Sequence, residues 1–442
     1  MTVPASDNPA SADFGRDVAS LTAVRLGGVG AAFLASVVAA RLLGAAELGI
    51  AGVTLALATV AGLVANGGVT MSTVYLLRRA TDRPRVASGL AGLGLLIVAQ
   101  AAVGAALIVA IFGGLSGWLG LASIAVAGGL LGGTSVWAEV AGAQLLGIGR
   151  TTAYRLSEAV RPVVTLLATA GLLLVSATAG AYVLAAAVGY AAAAIVALQA
   201  AGGGGGWRRP RLDRVVWRDA LDFGLRGQGG NVLQFLTLRL DLVIVAALLG
   251  PVAAGLYFVA ARVSEVVTQL ANATASLLFP AVASAGEASG TALTALATRR
   301  VALAVAAAAV VLGLAAVPLL PALFGGEFGP AWPALALLLV AAIPLAVGRI
   351  LAGDLKGRGR PGLVSLAAGL GLVILIAGDL ALVPMLGIEG AAGVSIVAYA
   401  VNAVALAIAW RRTTGASVVD LIPKPADLAS ISRLRRGRPA AR

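Results

Sequence analysis

The sequence predicts an all-α polytopic membrane protein with about twelve transmembrane helices in two six-helix lobes. Of its 442 residues, 60% are hydrophobic and only 12% are charged, whereas about a quarter of the residues of a soluble domain are charged. Long uncharged stretches alternate with short loops, and a hydrocarbon core of about 30 Å needs a helix of about 20 apolar residues. Two short patterns also recur in the second half of the chain, which indicates an internal repeat.

Uncharged stretches predict six spans in the first half, residues 1–201. Spans 1 and 2 cover residues 20–43 and 48–77, and a loop with four arginines follows them. Residues 86–138 carry no charge and are long enough for two more spans. Spans 5 and 6 follow Arg150. The first half therefore forms the predicted N-terminal lobe.

A basic linker separates the two halves. Residues 202–218, GGGGGWRRPRLDRVVWR, combine a glycine run with five arginines and two tryptophans. This composition is typical of a partly amphipathic segment on an anionic membrane surface, and a solvated basic loop is the alternative. Residues 219–412 form the predicted C-terminal six-span lobe. Residues 413–442 form a basic tail that is poor in apolar residues, and we expect it to be disordered.

The distribution of positive charge predicts the orientation in the membrane. Alternate loops and the C-terminal tail hold 23 lysines and arginines, while the intervening turns hold none. Cytoplasmic loops carry the excess of basic residues. We therefore expect a multi-pass protein of the plasma (inner) membrane with both termini in the cytoplasm. The net charge of +13 then reflects topology and attraction to membrane lipids, and no nucleic-acid partner is expected.

The internal repeat rests on two pairs of segments. The pattern LLG with a further glycine five residues later occurs at 42–49 and again at 248–255, an offset of 206 residues. A glycine-rich segment at 147–150 recurs at 357–360, an offset of 210 residues. Both pairs fall at equivalent span ends. An even number of spans in each copy predicts parallel repeats with a substrate site between them.

Two hairpins contain the motifs that identify a family. The first reads ARLLGAAELGIAGVTLAL at 40–57, followed by NGGV at 66–69. The second reads RLDLVIVAALLGPVAAGLYFVAARV at 239–263, followed by LLFPAVA at 277–283. In these motifs and in its twelve-span layout, the chain resembles the polysaccharide (Wzx-like) flippases of the superfamily that includes the MATE exporters.

The resemblance implies a function and partners. Such a protein moves a lipid-linked (polyprenyl-pyrophosphate) oligosaccharide from the cytoplasmic to the outer leaflet by alternating access. It serves cell-surface polysaccharide biosynthesis, with a polysaccharide polymerase and glycosyltransferases as further partners. Composition fits a transporter without covalent chemistry, because the chain has no cysteine and no histidine, which removes thiolates and the usual general base. We expect no metal, no cofactor and no catalytic residues.

The hairpin at 222–280 carries two charges deep in the predicted membrane. Arg239 lies 11 residues before Gly250, and Arg262 lies 11 residues after Pro251. At about 1.5 Å of rise per residue, both lie about 16 Å from the hairpin tip, near the middle of the hydrocarbon core. An arginine at that depth costs about 3 kcal/mol, so neither is expected to face lipid. Because guanidinium groups match phosphate geometry, both are candidate substrate-binding residues.

The two arginines differ in their local partners. Arg262 and Glu265 are three residues apart on one helical face, where they either neutralise each other or serve a substrate. Arg239 and Asp241 are two residues apart and point to opposite sides of their helix, so they cannot pair directly. Arg239 is therefore expected to need a partner elsewhere, and a cavity role is favoured for it.

Further charged residues complete the candidate set. Arg25 and Arg226 lie about seven residues inside their spans, where snorkelling to the surface explains them equally well. Candidates for binding a coupling ion are Asp241, Glu265 and Glu139.

The repeat predicts that the two lobes differ in charge. At an offset of 206 residues, Phe33 corresponds to Arg239, and Ala56 corresponds to Arg262. The second lobe is therefore expected to dominate any anion site. The alternatives are a MATE-type cation-coupled multidrug exporter, which calls for an acidic cavity, and a non-transporting or glycosyltransferase component of polysaccharide assembly. A glycosyltransferase or polymerase would want a large outer loop with paired carboxylates, which the sequence lacks.

Overall fold

A computed structural model describes residues 9–117, 121–202, 210–284, 286–424 and 427. All regular structure in these residues is helical. The α-helices are α1 Pro9–Asn66, α2 Val69–Arg79, α3 Arg83–Ser116, α4 Leu121–Gly147, α5 Thr151–Val175, α6 Ala179–Gly202, α7 Arg214–Thr237, α8 Leu240–Leu249, α9 Pro251–Ser284, α10 Glu287–Phe324, α11 Trp332–Gly357 and α12 Pro361–Thr414. Short 3-10 helices cover Gly326–Ala331 and Val418–Leu421.

The number of membrane spans agrees with the prediction of twelve. Among the described residues, nine helical stretches are long and apolar enough to cross a membrane, and the bent pair α7–α8 makes a tenth. The first and last of these stretches, Gly27–Arg79 and Pro361–Thr414, are 53 and 54 residues long. At about 1.5 Å per residue, each has the length of two spans. Each is also interrupted by a glycine with non-helical backbone, so each counts as two.

Three glycines provide backbone conformations that other residues rarely adopt. Gly44 in α1 has φ 74° and ψ 175°, Gly250 between α8 and α9 has φ 84° and ψ −177°, and Gly387 in α12 has φ 65° and ψ −147°. This region of the backbone map is essentially restricted to glycine. After Gly387 the chain doubles back, because Val394 lies against Gly378. The LLG pattern of the repeat thus ends in a glycine of the same conformation in both copies.

The second pair of repeat segments also has matching geometry. Gly149 (φ 84°) follows α4 and Gly359 (φ 72°) follows α11. In both turns, the amide of the next arginine donates to a carbonyl five residues back at 2.8 Å. This is the hydrogen bond of a Schellman-type helix end. The structure therefore supports the internal repeat at both of its anchors.

Contacts divide the chain into two compact units. Unit 1 comprises Met1–Leu43 and Leu57–Arg226, and unit 2 comprises Gly44–Ala56 and Gly227–Arg442. The segment Gly44–Ala56, which precedes the linker by more than a hundred residues, thus belongs with the second half of the chain. The predicted lobe boundaries stay a prediction.

The segment Gly44–Ala56 packs on α9 in a reciprocal way. A Cβ at Gly49 would lie 2.0 Å from the carbonyl oxygen of Pro251, and a Cβ at Gly255 would lie 1.9 Å from that of Ala45. At the offset of 206, Pro251 and Gly255 are the counterparts of Ala45 and Gly49. The same contact therefore occurs in both directions, as it does between two segments that a local two-fold axis relates. Only glycine permits backbones to approach so closely.

In unit 1, the start of α7 packs against α3. The indole N–H of Trp217 donates to the carbonyl oxygen of Gly89 at 2.8 Å, and Arg85 forms an ion pair with Asp213 at 2.7 Å. The Arg85 guanidinium holds the pKa of the Asp213 carboxyl below its usual value. The predicted linker thus ends as a helix that packs on unit 1. Residues 203–209, which include most of its glycine run, lie outside the described residues.

In unit 2, α11 packs against α9, α10 and α12. The chain after α12 is partly ordered: Leu421 is buried, and Arg299 of α10 forms an ion pair with Asp427 at 2.8 Å. The backbone amide of Lys424 and the Arg299 guanidinium both lower the pKa of Asp427. The expectation of a disordered tail is therefore too broad for residues 413–424, and residues 428–442 lie outside the described part of the chain.

Candidate functional site: an arginine cavity in unit 2

The helix that carries Arg239 is broken at that residue. The sequence predicted a helix that continues to Gly250, and this prediction is wrong, because α7 ends at Thr237 and α8 starts at Leu240 with a bend of 41°. The N–H of Arg239 donates to a carbonyl three residues back at 3.1 Å, as in a tight turn. Asp241 contributes to the break, since its carboxylate accepts the amide of Leu242 at 2.7 Å. Such local bonds compete with a continuous helix.

Glu265 binds two arginines at once. Its Oε1 lies 2.9 Å from an Nη atom of Arg239, and its Oε2 lies 3.0 Å from an Nη atom of Arg262. Arg262 and Glu265 are therefore paired, which the sequence left as one of two alternatives. The acidic partner of Arg239 comes from α9, the neighbouring helix. One carboxylate thus pairs with two guanidinium groups.

Both arginines also lie over aromatic rings. The guanidinium carbon of Arg239 lies 5.8 Å from the ring centre of Phe235, and that of Arg262 lies 5.4 Å from that of Phe258. A ring face attracts a cation without adding a negative charge. These rings therefore hold the guanidinium groups in place and leave their charge available.

A cavity of about 200 Å³ lies beside this cluster, within unit 2. Arg239 and Glu265 line it from the helix break and from α9, and Arg349 lines it from α11. Arg262 is not among the lining residues and holds the other oxygen of Glu265. The rest of the lining is largely polar and comprises Asp241, Ser264, Thr268, Gln269, Asn272 and Tyr399, with apolar Phe235, Leu238, Ala261, Leu338, Ala342 and Leu345. We call this space the arginine cavity.

Arg349 is the uncompensated cation of the arginine cavity. Among the described residues, no carboxylate lies within ion-pair distance of it, and its Nε is buried without a hydrogen-bond partner. The structure places Arg349 in one cavity with Arg239. Arginine stays charged in proteins. Three guanidinium groups outnumber the two carboxylates of Glu265 and Asp241 and therefore leave a positive site.

The acidic candidates of unit 2 are engaged to different degrees. Asp241 is buried, and its Oδ2 accepts the hydroxyl proton of Tyr257 at 2.7 Å. Glu265 holds the two arginines. Asp379 on α12 is fully buried, and neither of its carboxylate oxygens has a hydrogen-bond partner among the described residues. The structure therefore leaves Asp241 and Glu265 committed to neighbours.

The remaining candidates belong to unit 1, whereas unit 2 lines the arginine cavity. Arg226 is exposed on α7. Arg25 lies in α1, and its side chain is outside the described part of the structure. In unit 1, the Asn66 side chain donates to Glu139 at 2.6 Å. The structure brings together Arg239, Arg262, Glu265 and Asp241, although the sequence placed Arg239 and Asp241 on opposite sides of their helix.

The repeat explains why the site belongs to unit 2 alone. At the offset of 210 residues, Glu139 occupies the position that corresponds to Arg349. At the offset of 206, Phe33 corresponds to Arg239. The first copy therefore has a carboxylate and a ring where the second copy has two guanidinium groups.

One part of the site was missed by reasoning from the sequence. The cavity face of α9 carries Ser264, Thr268 and Asn272, which are spaced four residues apart. This spacing places them on one face of a helix. A polar stripe of this kind within an otherwise apolar span is a signal that could have identified the face.

A bundle of apolar helices with a broken span and a cationic cavity has the architecture of a membrane transporter. Residues 14–285 match the family described as "Polysaccharide biosynthesis protein", which covers more than half of the chain. The chain therefore belongs to this family, as the hairpin motifs predicted. No curated protein matches the chain significantly.

Solved structures with the same fold are transporters. The lipid II flippase MurJ in an inward closed conformation has a TM-score of 0.74 at 11% identity, over 96% of this chain and 93% of that one. An inward-facing MATE family multidrug resistance transporter of the MOP superfamily has a TM-score of 0.72 at 14% identity, over 95% and 100%. A MOP superfamily transporter from Pyrococcus furiosus, described as having a binding pocket of reverse polarity, has a TM-score of 0.59 at 14% identity, over 90% and 96%. These similarities concern the fold.

Proposed function

We propose that this chain is a flippase for a lipid-linked (polyprenyl-pyrophosphate) oligosaccharide. It moves its substrate from the cytoplasmic to the outer leaflet of the plasma (inner) membrane by alternating access, with both termini in the cytoplasm. It acts in cell-surface polysaccharide biosynthesis, beside a polymerase and glycosyltransferases, and it performs no covalent chemistry. The observation that carries the proposal is the arginine cavity at a broken span in a member of a polysaccharide biosynthesis family.

The substrate's chemistry explains why a carrier would need such a cavity. A diphosphate that links a polyprenyl chain to a sugar carries two negative charges and binds water strongly. Ionised groups cross hydrocarbon only at great cost. A carrier has to replace the lost hydration with fixed cations, and guanidinium groups can bind phosphate oxygens in a bidentate way.

Three elements of the site fit this task. Arg349 offers a guanidinium that has no carboxylate within ion-pair distance among the described residues. Arg239 offers a second one at the break before α8, where the positive end of the helix dipole also favours an anion. Polar side chains on α9, such as Gln269 and Asn272, line the same cavity and can bind sugar or phosphate oxygens. Together they support an anionic head group as the occupant.

The charge of the cavity argues against export of cationic drugs. A MATE-type exporter of such compounds would need an acidic binding cavity, whereas the three arginines of this cluster outnumber the carboxylates of Glu265 and Asp241. The counterpart of Arg349 in unit 1 is acidic, but Glu139 is bound by the Asn66 side chain. Drug resistance of cells that express the protein, without any effect on lipid-linked sugars, would favour the exporter.

The proposal can be tested in cells that lack the gene. We expect a lipid-linked oligosaccharide to accumulate in the inner leaflet, and the wild-type gene to reverse this. Arg239→Ala should not reverse it, although the protein is inserted at normal abundance. Arg218→Ala, an exposed arginine at the start of α7, is the matched control and should behave as wild type. Full complementation by Arg239→Ala would exclude Arg239 from the transport site.

A further inference from the structure

Glu265 occupies the arginine cluster in the way that a phosphate group would. Each of its two oxygens accepts from one guanidinium, at 2.9 Å from Arg239 and 3.0 Å from Arg262. A phosphate group likewise offers oxygens to two separate guanidinium groups. The carboxylate therefore stands where an anionic ligand of these arginines would bind.

The bridge is open to the cavity. The side chains of Arg239 and Glu265 are 27% and 33% exposed, and both line the arginine cavity. An anion that enters the cavity can reach the Arg239 guanidinium only in competition with Glu265. The other oxygen of the same carboxylate holds Arg262, which is not among the lining residues.

We propose that Glu265 is a built-in competitor of the substrate's diphosphate, displaced when the substrate binds and restored when it leaves. This inference rests on the proposed function and assigns Glu265 a role in setting affinity and release. A carrier has to bind its substrate tightly enough to load and weakly enough to unload. Three uncompensated arginines would hold a diphosphate too tightly, and they would also be costly in an empty cavity within the membrane.

The bridging carboxylate addresses both problems. In the empty carrier it neutralises part of the cluster, so that the cavity can reorient without its anion. In the loaded carrier the Glu265 carboxylate stays near the guanidinium groups and binds them again when the diphosphate dissociates. Arg349, which has no acidic partner among the described residues, makes the first contact, and the exchange at Arg239 follows.

The competition is present at neutral pH. The charged or titratable groups that face Glu265 are Arg262 on its own helix, Arg239 at the helix break, Asp241 on α8, Arg349 on α11 and Tyr399 on α12. Arg239 and Arg262 stabilise the charged form of Glu265, so it competes with the substrate throughout pH 5 to pH 8. Substitution of Glu265 alone separates its contribution from that of Asp241.

The test measures binding and transport of one probe, farnesyl diphosphate linked to N-acetylglucosamine. The diphosphate of this probe is a diester and carries two negative charges at pH 8. Binding is measured on the purified full-length protein in lipid nanodiscs, and transport is measured in proteoliposomes. Glu265→Gln removes the charge and keeps the shape. Glu158→Gln is the matched control, since Glu158 also pairs with an arginine three residues away, Arg161 at 3.7 Å.

We expect Glu265→Gln to bind the probe at least tenfold more tightly at pH 8 and to transport it more slowly at saturation, since release becomes limiting. Glu158→Gln should bind and transport the probe as the wild type does. A merely structural role for Glu265 would weaken binding and transport together.

Each other outcome contradicts part of the account. Equal or weaker binding by Glu265→Gln overturns the competitor role while leaving the proposed function intact. If Glu265→Gln does not fold, Glu265→Ala takes its place, and equal or weaker binding by that variant overturns the inference. If the wild type neither binds nor moves the probe, the proposed function fails as well.

Discussion

Arg349→Ala is the substitution that isolates the uncompensated cation of the arginine cavity. Removing this guanidinium takes away a charge-assisted contact to the substrate's diphosphate. Such a contact contributes about 1.5–3 kcal/mol, which corresponds to about 10- to 150-fold in affinity. The folded protein should tolerate the change, because no carboxylate pairs with Arg349 among the described residues and none is left without a partner.

The assay is equilibrium binding of the farnesyl diphosphate–sugar probe to purified protein in nanodiscs, with the thermal unfolding midpoint measured in parallel. We expect weaker binding within that range and an unfolding midpoint close to that of the wild type. Arg218→Ala is the control for the loss of one positive charge. Wild-type affinity in Arg349→Ala would refute the assignment of this residue, and a large loss of stability would refute the view that it is uncompensated.

Three further predictions concern the fold. Gly255→Ala should lower the free energy of unfolding by about 1–3 kcal/mol or more, because its Cβ would lie 1.9 Å from a backbone carbonyl. Gly393 is a helical position with open space around it, so Gly393→Ala should raise the free energy of unfolding by up to about 1 kcal/mol. Gly250→Ala should cost about 1–3 kcal/mol, because φ is 84° there; wild-type stability in either hairpin variant would contradict the described packing. Asp213→Asn should remove a part of the stability that depends on pH. The pKa of the Asp213 carboxyl is lowered in the folded state, so its contribution is present above the usual carboxyl pKa of about 3.9. The contribution is lost as the pH falls through the lowered value. Identical unfolding midpoints of wild type and Asp213→Asn across pH 2–7 would count against it.

Much of the architecture followed from the sequence because the membrane imposes strong rules. Span length, loop charge and hydropathy are local properties, and they predicted twelve helices. The LLG pattern predicted hairpins at Gly44 and Gly250, and the conformation of both glycines shows why this residue is needed. The packing of Gly49 on Pro251 joins parts of the chain about two hundred residues apart, and no local pattern predicts it.

The candidate site was predicted only in part for the same reason. Depth along a helix can be counted, so Arg239 and Arg262 were found, and the spacing of three residues gave the pairing of Arg262 with Glu265. The second pairing of Glu265 and the approach of Arg349 depend on how α8, α9 and α11 pack. The break at Arg239 depends on the side chain of Asp241, which binds a nearby amide and which helix periodicity does not reveal.

The central claim is that the arginine cavity carries a lipid-linked diphosphate sugar across the membrane. Its most direct test is transport of the labelled farnesyl diphosphate–sugar probe by the purified protein in proteoliposomes, with empty liposomes as the background. The account predicts transport above background by the wild type and by Arg218→Ala, and background transport by the double variant Arg239→Ala/Arg349→Ala. Background transport by the wild type, or wild-type transport by the double variant, would contradict it.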